Sequence, residues 1–429
     1  MGNELNKIAE LAKKHGRLQT VIHHVNADTL KAEHKRQKSG KATGVDKVTK
    51  EEYGEKLEEN VANLIARMKT FSYRPLPVRR TYIPKEGSSD KLRPLGIPAY
   101  EDKLVQGVMR NILDAVYERK FYDFSYGFRA GKSQHQAIRE VNDLIMFKKI
   151  GWVVDADIKS FFDTLDHEWL MKFLEHDIQD KNFLRYIKRF LKAGIMEGLE
   201  RYESDQGAPQ GGLISPVCAN VYLHYVLDMW FDKVVTKECT GDAFIVRYAD
   251  DFVCMFQYEN EARKFISDLK ERLAKFGLEI AEDKSKIIRF GRFARQNEPG
   301  GKTETFDFLG FTHINGKTRA GKYTVAHRIS KKKMRVKRAR IKEWLKYSIH
   351  GKIPVIIDNL NRKLRGLYQY YGISGNSKSL QDIDMYAKHT LYKALKRRSQ
   401  RSKMTWERFN KILAQFPLAR PKIRVNIWS

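Results

Sequence analysis

Two adjacent carboxylates, Asp250 and Asp251, lie in a tight turn between two strand-forming segments, and this pattern constrains the fold most strongly. Ile245-Val246-Arg247 precedes the turn and Phe252-Val253-Cys254-Met255-Phe256 follows it, which predicts a β-hairpin with the carboxylates at its tip. Asp is depleted from strand interiors and adjacent negative charges repel, so the pair needs either full solvation or a cation such as Mg²⁺. Taken alone, an Asp-Asp pair at a turn is more typical of a solvated hairpin tip than of a metal site.

A second acidic segment, residues 152–163, begins with the apolar alternation Trp152-Val153-Val154-Asp155-Ala156-Asp157. This pattern predicts a buried strand with Asp155 and Asp157 on one side, followed by a helix that Asp166 caps. Trp169, Leu170 and Phe173 are expected on the inner face of that helix. Buried carboxylates are costly unless they are paired or bound to metal. The two acidic segments together therefore predict a metal site.

The charge of the chain indicates a polyanionic partner. Its 429 residues include 81 Lys and Arg against 52 Asp and Glu, a formal net charge of +29, and the hydrophobic content of 42% is that of a folded protein with two or three domains. No apolar run is long enough to span a bilayer and the N-terminus lacks a signal-peptide core, so we expect no membrane partner. Three cysteines without metal-ligand spacing suit a reducing cytoplasm.

The order of elements is also predictable. Residues 1–70 are expected to be mainly helical with a loop at Gly44-Val45-Asp46, and strands at 79–83 and 91–98 form a hairpin. Two helices follow near 101–119 and 133–148. In the loop Gln206-Gly207-Ala208-Pro209-Gln210-Gly211-Gly212, glycines permit close approach of a ligand, and Ser215 and Pro216 are expected at N-cap and N1 of the next helix. The composition becomes strongly basic from about 317.

In this order, the motifs resemble a reverse transcriptase, and more narrowly the bacterial group II intron reverse transcriptase/maturase family. The matching segments, almost end to end, are Gly44-Val45-Asp46, Arg93 to Pro98, Ser125 to Arg129, Asp157 to Phe162, Pro209 to Gly212, Tyr248 to Asp251, Gly277-Leu278-Glu279 through Lys284-Ser285-Lys286, and Phe308 to Phe311. Leu360 to Gly366 and Tyr370-Tyr371 are similar to the thumb, or maturase, region of that family.

The resemblance implies an α+β right-hand polymerase. We expect an N-terminal extension of the fingers over 1–70, fingers over 71–150, a palm over 151–316 with a fingers-like insertion near 165–210, and a basic helical thumb or maturase domain over 317–429. The chain stops without the endonuclease segment found in many relatives, so no second-strand nuclease is expected in this polypeptide.

The resemblance also implies roles for individual residues. Asp157, Asp250 and Asp251 would be catalytic and, together with Ile158, would hold two Mg²⁺ ions. Phe162 matches the position that excludes a ribose 2′-hydroxyl, although it could also be a core residue beside Phe161. Gln210 would contact the incoming nucleotide, and Arg93, Lys85 and Lys91 would reach its phosphates. Lys284 would protonate the departing pyrophosphate.

Further residues would hold the nucleic acid. Tyr248 would support the primer end, and Phe308, Leu309 and Gly310 resemble the primer grip, although aromatic strands are often simply core. The segment 331–346, with Lys332 and Arg335, predicts a helix that packs through Met334, Ile341 and Leu345 and leaves its other faces cationic. A second basic cluster follows at Lys393 to Arg398 with Arg401 and Lys403.

The expected function is RNA-directed DNA synthesis on an RNA template with a DNA primer and dNTPs. One reading is a mobile-element enzyme that also binds its parent group II intron RNA for splicing and retrohoming. Another gives the same polymerase a host role such as DNA repair or phage defence. A non-catalytic RNA chaperone and an RNA-dependent RNA polymerase are further alternatives; the aspartate triad argues against the first and Phe162 with the Tyr-Ala-Asp-Asp tip against the second. The sequence leaves monomer and homodimer open.

Overall fold

The computed structural model describes residues 2–84, 92–198, 200–202, 206–207, 211–296, 304–399 and 404–428. Its strands are β1 Val78–Pro84, β2 Leu92–Ile97, β3 Trp152–Asp157, β4 Ile195–Glu197, β5 Glu200–Tyr202, β6 Ala243–Tyr248, β7 Asp251–Phe256, β8 Lys286–Arg289, β9 Thr305–Phe308, β10 Phe311–Lys317 and β11 Tyr323–Ile329. Over these ranges, they form sheets in the orders β2-β1-β4-β5, β6-β7-β3-β8 and β11-β10-β9.

Helices form the rest of the framework. They are α1 Gly2–His15, α2 Ala27–Arg36, α3 Lys50–Glu55, α4 Leu57–Lys69, α5 Tyr100–Tyr117, α6 Gln134–Phe147, α7 Phe161–Thr164, α8 His167–Asp177, α9 Lys181–Leu191, α10 Ser215–Leu223, α11 Thr236–Glu238, α12 Glu259–Ala274, α13 Arg292–Gln296, α14 Lys331–Ser348, α15 Ile353–Tyr371, α16 Ser377–Lys396 and α17 Trp406–Gln415. A 3-10 turn lies at Ile22–His24, and π-helical turns lie at His224–Asp228 and Phe231–Val235.

The N-terminal helices and the first hairpin confirm the predictions for that part of the chain. Capping boxes begin α2, at Asn26 and Thr29, and α3, at Thr49 and Glu52. Strands β1 and β2 pair antiparallel from Arg79 opposite Ile97 to Pro84 opposite Leu92. The loop that joins them, with Lys85 and Lys91, lies outside the described residues.

The central sheet is antiparallel and is covered on both faces. Val154 of β3, with Phe252 and Cys254 of β7, packs into the large core shared with α5, α8, α10 and α12. Val153 and Val253 face the opposite side, where they pack with α6 and the sheet formed by β9, β10 and β11. Because side chains alternate along a strand, Asp155 and Asp157 share the face of Val153, as predicted. The carboxylates therefore point toward the β9–β10 hairpin.

Two helix starts test the capping predictions. The Asp166 carboxylate accepts a hydrogen bond from the Trp169 N–H at 2.9 Å and caps α8, which confirms the prediction there. Ser215 was expected at the N-cap of α10, but it is the first helical residue. The backbone of Ile214 already has helical angles, φ −85° and ψ −23°, so the helix begins one residue earlier and Ile214 occupies the N-cap position. Pro216 lies in the first turn. The expected N-cap is therefore wrong by one residue.

The C-terminal part is helical with its own core. Ile341, Leu360, Leu364, Ile383 and Leu391 are at most 3% exposed and pack α14, α15 and α16 together. The composition change near 317 falls inside the β10–β11 hairpin, and the basic helices begin after it, at Lys331. Ile427 packs into this core, while its carbonyl accepts a hydrogen bond from Asn142 of α6. The helical unit is thereby attached to the central sheet region.

Candidate catalytic site and nucleic-acid cleft

Three predicted catalytic aspartates meet at one edge of the central sheet. Asp157 ends β3 and Asp251 begins β7, and the two residues are directly opposite each other in the antiparallel pairing. Asp250 precedes Asp251 in the two-residue turn after β6. The hairpin predicted from the sequence is confirmed, and its tip lies beside the end of the second acidic strand.

The environment of these carboxylates disfavours their charged forms. Burial, together with the charges of Asp155 and Asp250, raises the pKa of Asp251 to about 7. Burial also raises the pKa of Asp250, with repulsion from Asp157 adding to it. Behind them, burial raises the pKa of Asp155 to about 7, with a contribution from the Asp307 charge. A site with such mutual repulsion favours a cation between the carboxylates.

A lysine supplies positive charge to the site. Lys284 Nζ lies 2.7 Å from Oδ2 of Asp157, and this hydrogen bond raises the pKa of Lys284. Over the described ranges, no three or more His, Cys, Asp or Glu side chains are arranged as a ready metal-binding group. The Asp157 carboxylate thus forms an ion pair with the Lys284 ammonium, although its residue lies opposite Asp251 in the strand pairing.

The donor set nevertheless fits a hard divalent cation. Carboxylate oxygens are preferred ligands of Mg²⁺. The pKa values of Asp250 and Asp251 are raised mainly by burial and further by repulsion between the carboxylates, and a bound cation would offset both effects. The side chain of Ile158 is 3% exposed and apolar, so only its backbone could contribute. The backbone bonds beside it run from Ala281 N–H to the Asp157 carbonyl and from Lys159 N–H to the Glu279 carbonyl.

The turn formed by Ala249 and Asp250 is strained and closely packed. Ala249 has φ 59°, a conformation that is uncommon for a residue with a Cβ atom. Gly127 lies against it, because a Cβ atom placed on Gly127 would come within 2.2 Å of the Ala249 nitrogen. The segment Ser125 to Arg129 thus supports the turn from outside the sheet.

A cleft of about 880 Å³ lies in front of this site. Arg93, Tyr248, Asp251, Leu309 and Gly310 line it, so the structure brings these five predicted residues together. The β9–β10 turn has Leu309 at φ 49° and Gly310 at φ 79°, as in a type I′ hairpin. The Leu309 N–H hydrogen-bonds to Asp251 and lowers the pKa of that carboxyl, which partly opposes the effect of burial.

Several residues that line the cleft received no individual role in the sequence analysis, although most of them lie in segments that it singled out. They are Gln134, Lys333, Lys337, Arg340, Lys363, Tyr370 and Tyr371. Lys333, Lys337 and Arg340 recur at helical spacing and mark the face of α14 that meets the cleft. Periodicity could not select this face, because basic residues occur on nearly all sides of α14.

Other predicted residues lie elsewhere. Phe308 is 1% exposed because the alternation of strand β9 turns its side chain into the core. This burial agrees with the alternative core role, and a primer contact at Phe308 stays a prediction. Phe162 is half-buried, with its ring 5.4 Å from that of Phe161. Lys332 is exposed and does not line the cleft. Gln210 lies outside the described residues, as do Arg401 and Lys403.

Arg335 lines a different groove, between α14 and α16, of about 610 Å³. Five cations border this outer groove: Arg328, Lys331, Arg335, Arg338 and Lys342. The Arg338 guanidinium lies 5.2 Å from the ring centroid of Tyr386, and Asp382 is the one acidic residue of the lining. Helix α14 therefore presents one cationic face to the cleft and another to the outer groove.

No described helix combines the length and the apolar character that crossing a bilayer requires.

Comparisons with known proteins agree with this architecture. Residues 83–313 match the family described as "Reverse transcriptase (RNA-dependent DNA polymerase)", and residues 334–412 match "Group II intron, maturase-specific domain". The chain is 30% identical over 396 residues to "Group II intron-encoded protein LtrA" of Lactococcus lactis subsp. cremoris, covering 75% of this chain and 65% of LtrA. It is 31% identical over 331 residues to "Protein YkfC" of Escherichia coli (strain K12), covering 70% and 82% of the two chains.

The matched part of the chain thus spans about 65% of the length of LtrA. The reverse transcriptase match covers the central antiparallel sheet and its helices, which agrees with the expected α+β right-hand polymerase fold. The maturase match covers most of the helical C-terminal unit. The chain belongs to the reverse transcriptase family, within its group II intron-encoded reverse transcriptase/maturase branch.

Proposed function

We propose that this protein is an RNA-directed DNA polymerase that extends a DNA primer on an RNA template by two-metal nucleotidyl transfer. The observation that carries the proposal is the meeting of Asp157, Asp250 and Asp251 at the rim of a cleft lined with cations. Primer, template and triphosphate are polyanions, so a cationic cleft beside carboxylates that need counter-ions suits them. The resemblance of the ordered motifs to the family supports the same reaction.

Asp157, Asp250 and Asp251, with the backbone of Ile158, would hold two Mg²⁺ ions. When bound, these ions would supply activation of the primer 3′-hydroxyl and neutralisation of the triphosphate charge. Lys284 carries a proton at Nζ at neutral pH, and its hydrogen bond to Asp157, which raises its pKa further, holds the ammonium beside the carboxylates. That proton is available at the site for the departing pyrophosphate, which supports Lys284 as the general acid.

The incoming dNTP would be bound by residues around the first hairpin. Arg93 lines the cleft, and its charge partly offsets the burial that raises the pKa of Asp250, so its guanidinium acts electrostatically on the carboxylate site. We assign the triphosphate to Arg93 with Lys85 and Lys91, and nucleotide contact to Gln210. Phe162 would exclude the ribose 2′-hydroxyl. This role is supported by the position of Phe162 five residues after Asp157, in the short helix α7 that follows β3.

The primer and template would lie between the β9–β10 turn and the helical unit. Tyr248, Leu309 and Gly310 border the catalytic end of the cleft, while Lys333, Lys337 and Arg340 border the helical side. The Tyr370 hydroxyl donates a hydrogen bond of 2.9 Å to the Leu309 carbonyl, which links the turn to α15. Lys332 and the exposed residues of α14 would add nonspecific attraction for the duplex.

The maturase-specific match supports a second role, binding a structured group II intron RNA for splicing and retrohoming. The outer groove supports this RNA-binding role too, because its cations face away from the cleft.

We propose the subdomains in family terms: an N-terminal extension over 1–70, fingers over 71–150, a palm over 151–316 with an insertion near 165–210, and the thumb or maturase domain over 317–429. Free cysteines Cys218, Cys239 and Cys254 agree with a cytoplasmic setting.

The test of the polymerase is Asp250→Asn. The expected result is loss of Mg²⁺-dependent primer extension with duplex binding retained, since the change keeps the shape but removes one ligand charge. Substantial residual synthesis would contradict the assignment of Asp250 as a metal ligand.

The maturase role is tested by sequencing the RNA that co-purifies with the protein from the native cell. Enrichment of one structured RNA around the protein's own gene is expected, and a different RNA, or none, would instead indicate a polymerase with a host role.

A further inference from the structure

A fully buried arginine lies immediately before the catalytic turn. Arg247 is the penultimate residue of β6 and is 0% exposed, although a guanidinium is among the groups most costly to bury. The sequence gives no reason for a charge at this position of an otherwise apolar strand. Its retention requires partners, and those partners link it to the active site.

All three nitrogens of the guanidinium are hydrogen-bonded. Nε donates to Oδ1 of Asp228 at 2.7 Å, and Nη2 pairs with Oδ2 of the same carboxylate, which is also 0% exposed. Nη1 donates to the Ala249 carbonyl at 2.9 Å and to Oδ1 of Asn220 at 3.1 Å. One side of Arg247 therefore binds a fixed carboxylate while the other holds the residue at φ 59° in the catalytic turn.

The same network also reaches the outer support of the turn. Nδ2 of Asn220 donates to the Gly127 carbonyl at 2.7 Å, and Gly127 packs against the Ala249 nitrogen. The backbone of Arg247 pairs with the same segment, through Arg247 N–H to the Phe124 carbonyl and Tyr126 N–H to the Arg247 carbonyl. The Ala249 turn is thus held from the strand side and from the loop side by one connected set of hydrogen bonds.

Asp228 reaches Arg247 from an irregular part of its helix. It is the last residue of the π-helical turn His224–Asp228, which follows α10. In a regular α-helix, successive side chains are rotated by about 100° about the helix axis. A π-helical turn contains an additional residue, so it changes which side chain faces the sheet. π-helical turns are rare and are frequent at functional sites. This turn brings a carboxylate to the buried guanidinium.

We propose that Arg247, held by Asp228, is a positioning residue that fixes the Ala249 turn and thereby the placement of Asp250 and Asp251. This inference rests on the proposed polymerase function, since the aspartates it positions are the proposed ligands and catalytic groups. Arg247 itself, being fully buried, is assigned no contact with the substrate or the reacting atoms. Its effect is on the geometry of the two carboxylates, so it should be separable from an effect on folding alone.

The test is Arg247→Lys, which keeps a positive charge near Asp228 but cannot bind Asp228 with two nitrogens and hold the Ala249 carbonyl as well. We expect a lower thermal midpoint, because a buried ion pair is weakened, together with unchanged affinity for primer–template and a fall of about 10²-fold in the single-turnover extension rate of the folded protein. Because outer-shell partners of metal ligands typically affect metal affinity about 10- to 100-fold, Mn²⁺ binding followed by electron paramagnetic resonance should weaken in that range. Asp228→Asn, with its shape retained, should behave similarly.

A matched control is Glu33→Gln. Glu33 is likewise 0% exposed and pairs with Arg36 at 2.7 Å, in the N-terminal helix α2. The Glu33→Gln substitution weakens this buried pair, so it should lower the thermal midpoint without changing the extension rate or the Mn²⁺ affinity. If Arg247→Lys and Asp228→Asn remain folded and extend primers at the wild-type rate, the positioning role is wrong and Arg247 serves folding only.

The measurements separate this inference from the proposed function. If the wild-type protein extends no primer, the proposed function fails, and Mn²⁺ affinity then decides the inference alone. Weaker Mn²⁺ binding in Arg247→Lys would still support positioning of the carboxylates, and unchanged binding would overturn it. If Arg247→Lys does not fold, Asp228→Asn provides the same comparison with a smaller change in structure.

Discussion

The ammonium of Lys284 lies 2.7 Å from the carboxylate of Asp157, at the position where the predicted catalytic aspartates meet. The two side chains are 58% and 42% exposed, so the pair contributes little to folding, on the order of 0 to 1 kcal/mol. Its value must therefore lie in what the lysine does near the site. Lys284 provides charge balance for Asp157 and, in the proposed reaction, a proton.

Lys284→Ala should therefore reduce catalysis far more than stability. Loss of a general acid typically costs about 10²- to 10⁴-fold in rate, and we expect a decrease in that range in single-turnover extension. Lys159→Ala is the matched control, because Lys159 also forms an exposed ion pair, with Glu279 at 3.0 Å, two residues from Asp157. The control should keep a near-wild-type rate. Equal rates for both variants would exclude Lys284 as the acid.

The buried aspartates should make metal-free stability depend on pH. Burial raises the pKa of Asp251 to about 7, so the folded protein keeps a proton that the unfolded chain loses near pH 4. Folding stability from this group is thus lost as pH rises from about 4 to 7. Asp251→Asn removes this dependence, and relative to wild type it should gain about 2 kcal/mol in free energy of unfolding between pH 5 and pH 7.5.

Chemical denaturation with EDTA and with excess MgCl₂ checks this prediction. In the proposed site, Mg²⁺ would bind the ionised carboxylates of the folded state, so it should stabilise the wild type more at pH 7.5 than at pH 5. Asp251→Asn should show a smaller gain from the metal. An equal effect of Mg²⁺ on both proteins would contradict the role of Asp251 as a ligand.

Two buried histidines should add a pH dependence of opposite sign. His313 and His327 are paired across β10 and β11 with ring centroids 4.8 Å apart, and neither ring has a hydrogen-bond partner among the described residues. Burial lowers the pKa of His327 to about 4, so its contribution is present above pH 6.5 and is lost as pH falls toward 4. His327→Leu removes it, and the wild type should lose about 2 kcal/mol relative to this variant between pH 7.5 and pH 5.

Measuring urea unfolding of both proteins at the two pH values tests this assignment. Because Asp251 acts in the opposite direction, the difference between His327→Leu and wild type is the informative quantity, rather than the pH profile of either alone. A difference that stays constant with pH would show that the buried pair does not titrate as burial requires.

The extent of sequence prediction differs between local and long-range features. The β6–β7 hairpin, strand β3 and the Asp166 cap follow from neighbouring residues, and all were predictable. The partnership of Arg247 with Asp228 was not, because it depends on a π-helical turn that no periodicity indicates. The cleft face of α14 was also unpredictable, since its basic residues surround the helix and only tertiary packing selects Lys333, Lys337 and Arg340.

Phe162 is the predicted determinant of sugar selectivity. Phe162→Ala should raise ribonucleotide incorporation relative to deoxynucleotide by about 10- to 100-fold, the range over which a pocket wall discriminates one small group. Phe162→Tyr keeps the ring and should retain selectivity. Competition between dNTP and NTP during extension of one primer measures the ratio. Unchanged selectivity in Phe162→Ala would identify Phe162 as a core residue packed on Phe161.

The two cationic faces of α14 should bind different nucleic acids. Lys333→Ala with Lys337→Ala removes two cations from the cleft, whereas Arg335→Ala with Lys342→Ala removes two exposed cations from the outer groove. Each phosphate contact contributes about 0.7 to 0.9 to the log–log salt slope of binding. The cleft pair should therefore lower the slope for primer–template by about 1.4 to 1.8.

The outer-groove pair should leave primer–template affinity and extension near wild type, while it weakens binding of a structured intron RNA. Filter binding of both ligands to both double variants, over a range of KCl concentrations, compares the faces at equal loss of charge. If the two variants weaken both ligands equally, α14 acts as one undivided cationic surface. Selective loss of primer–template by the cleft pair and of structured RNA by the outer pair would assign copying and RNA docking to opposite sides of one helix.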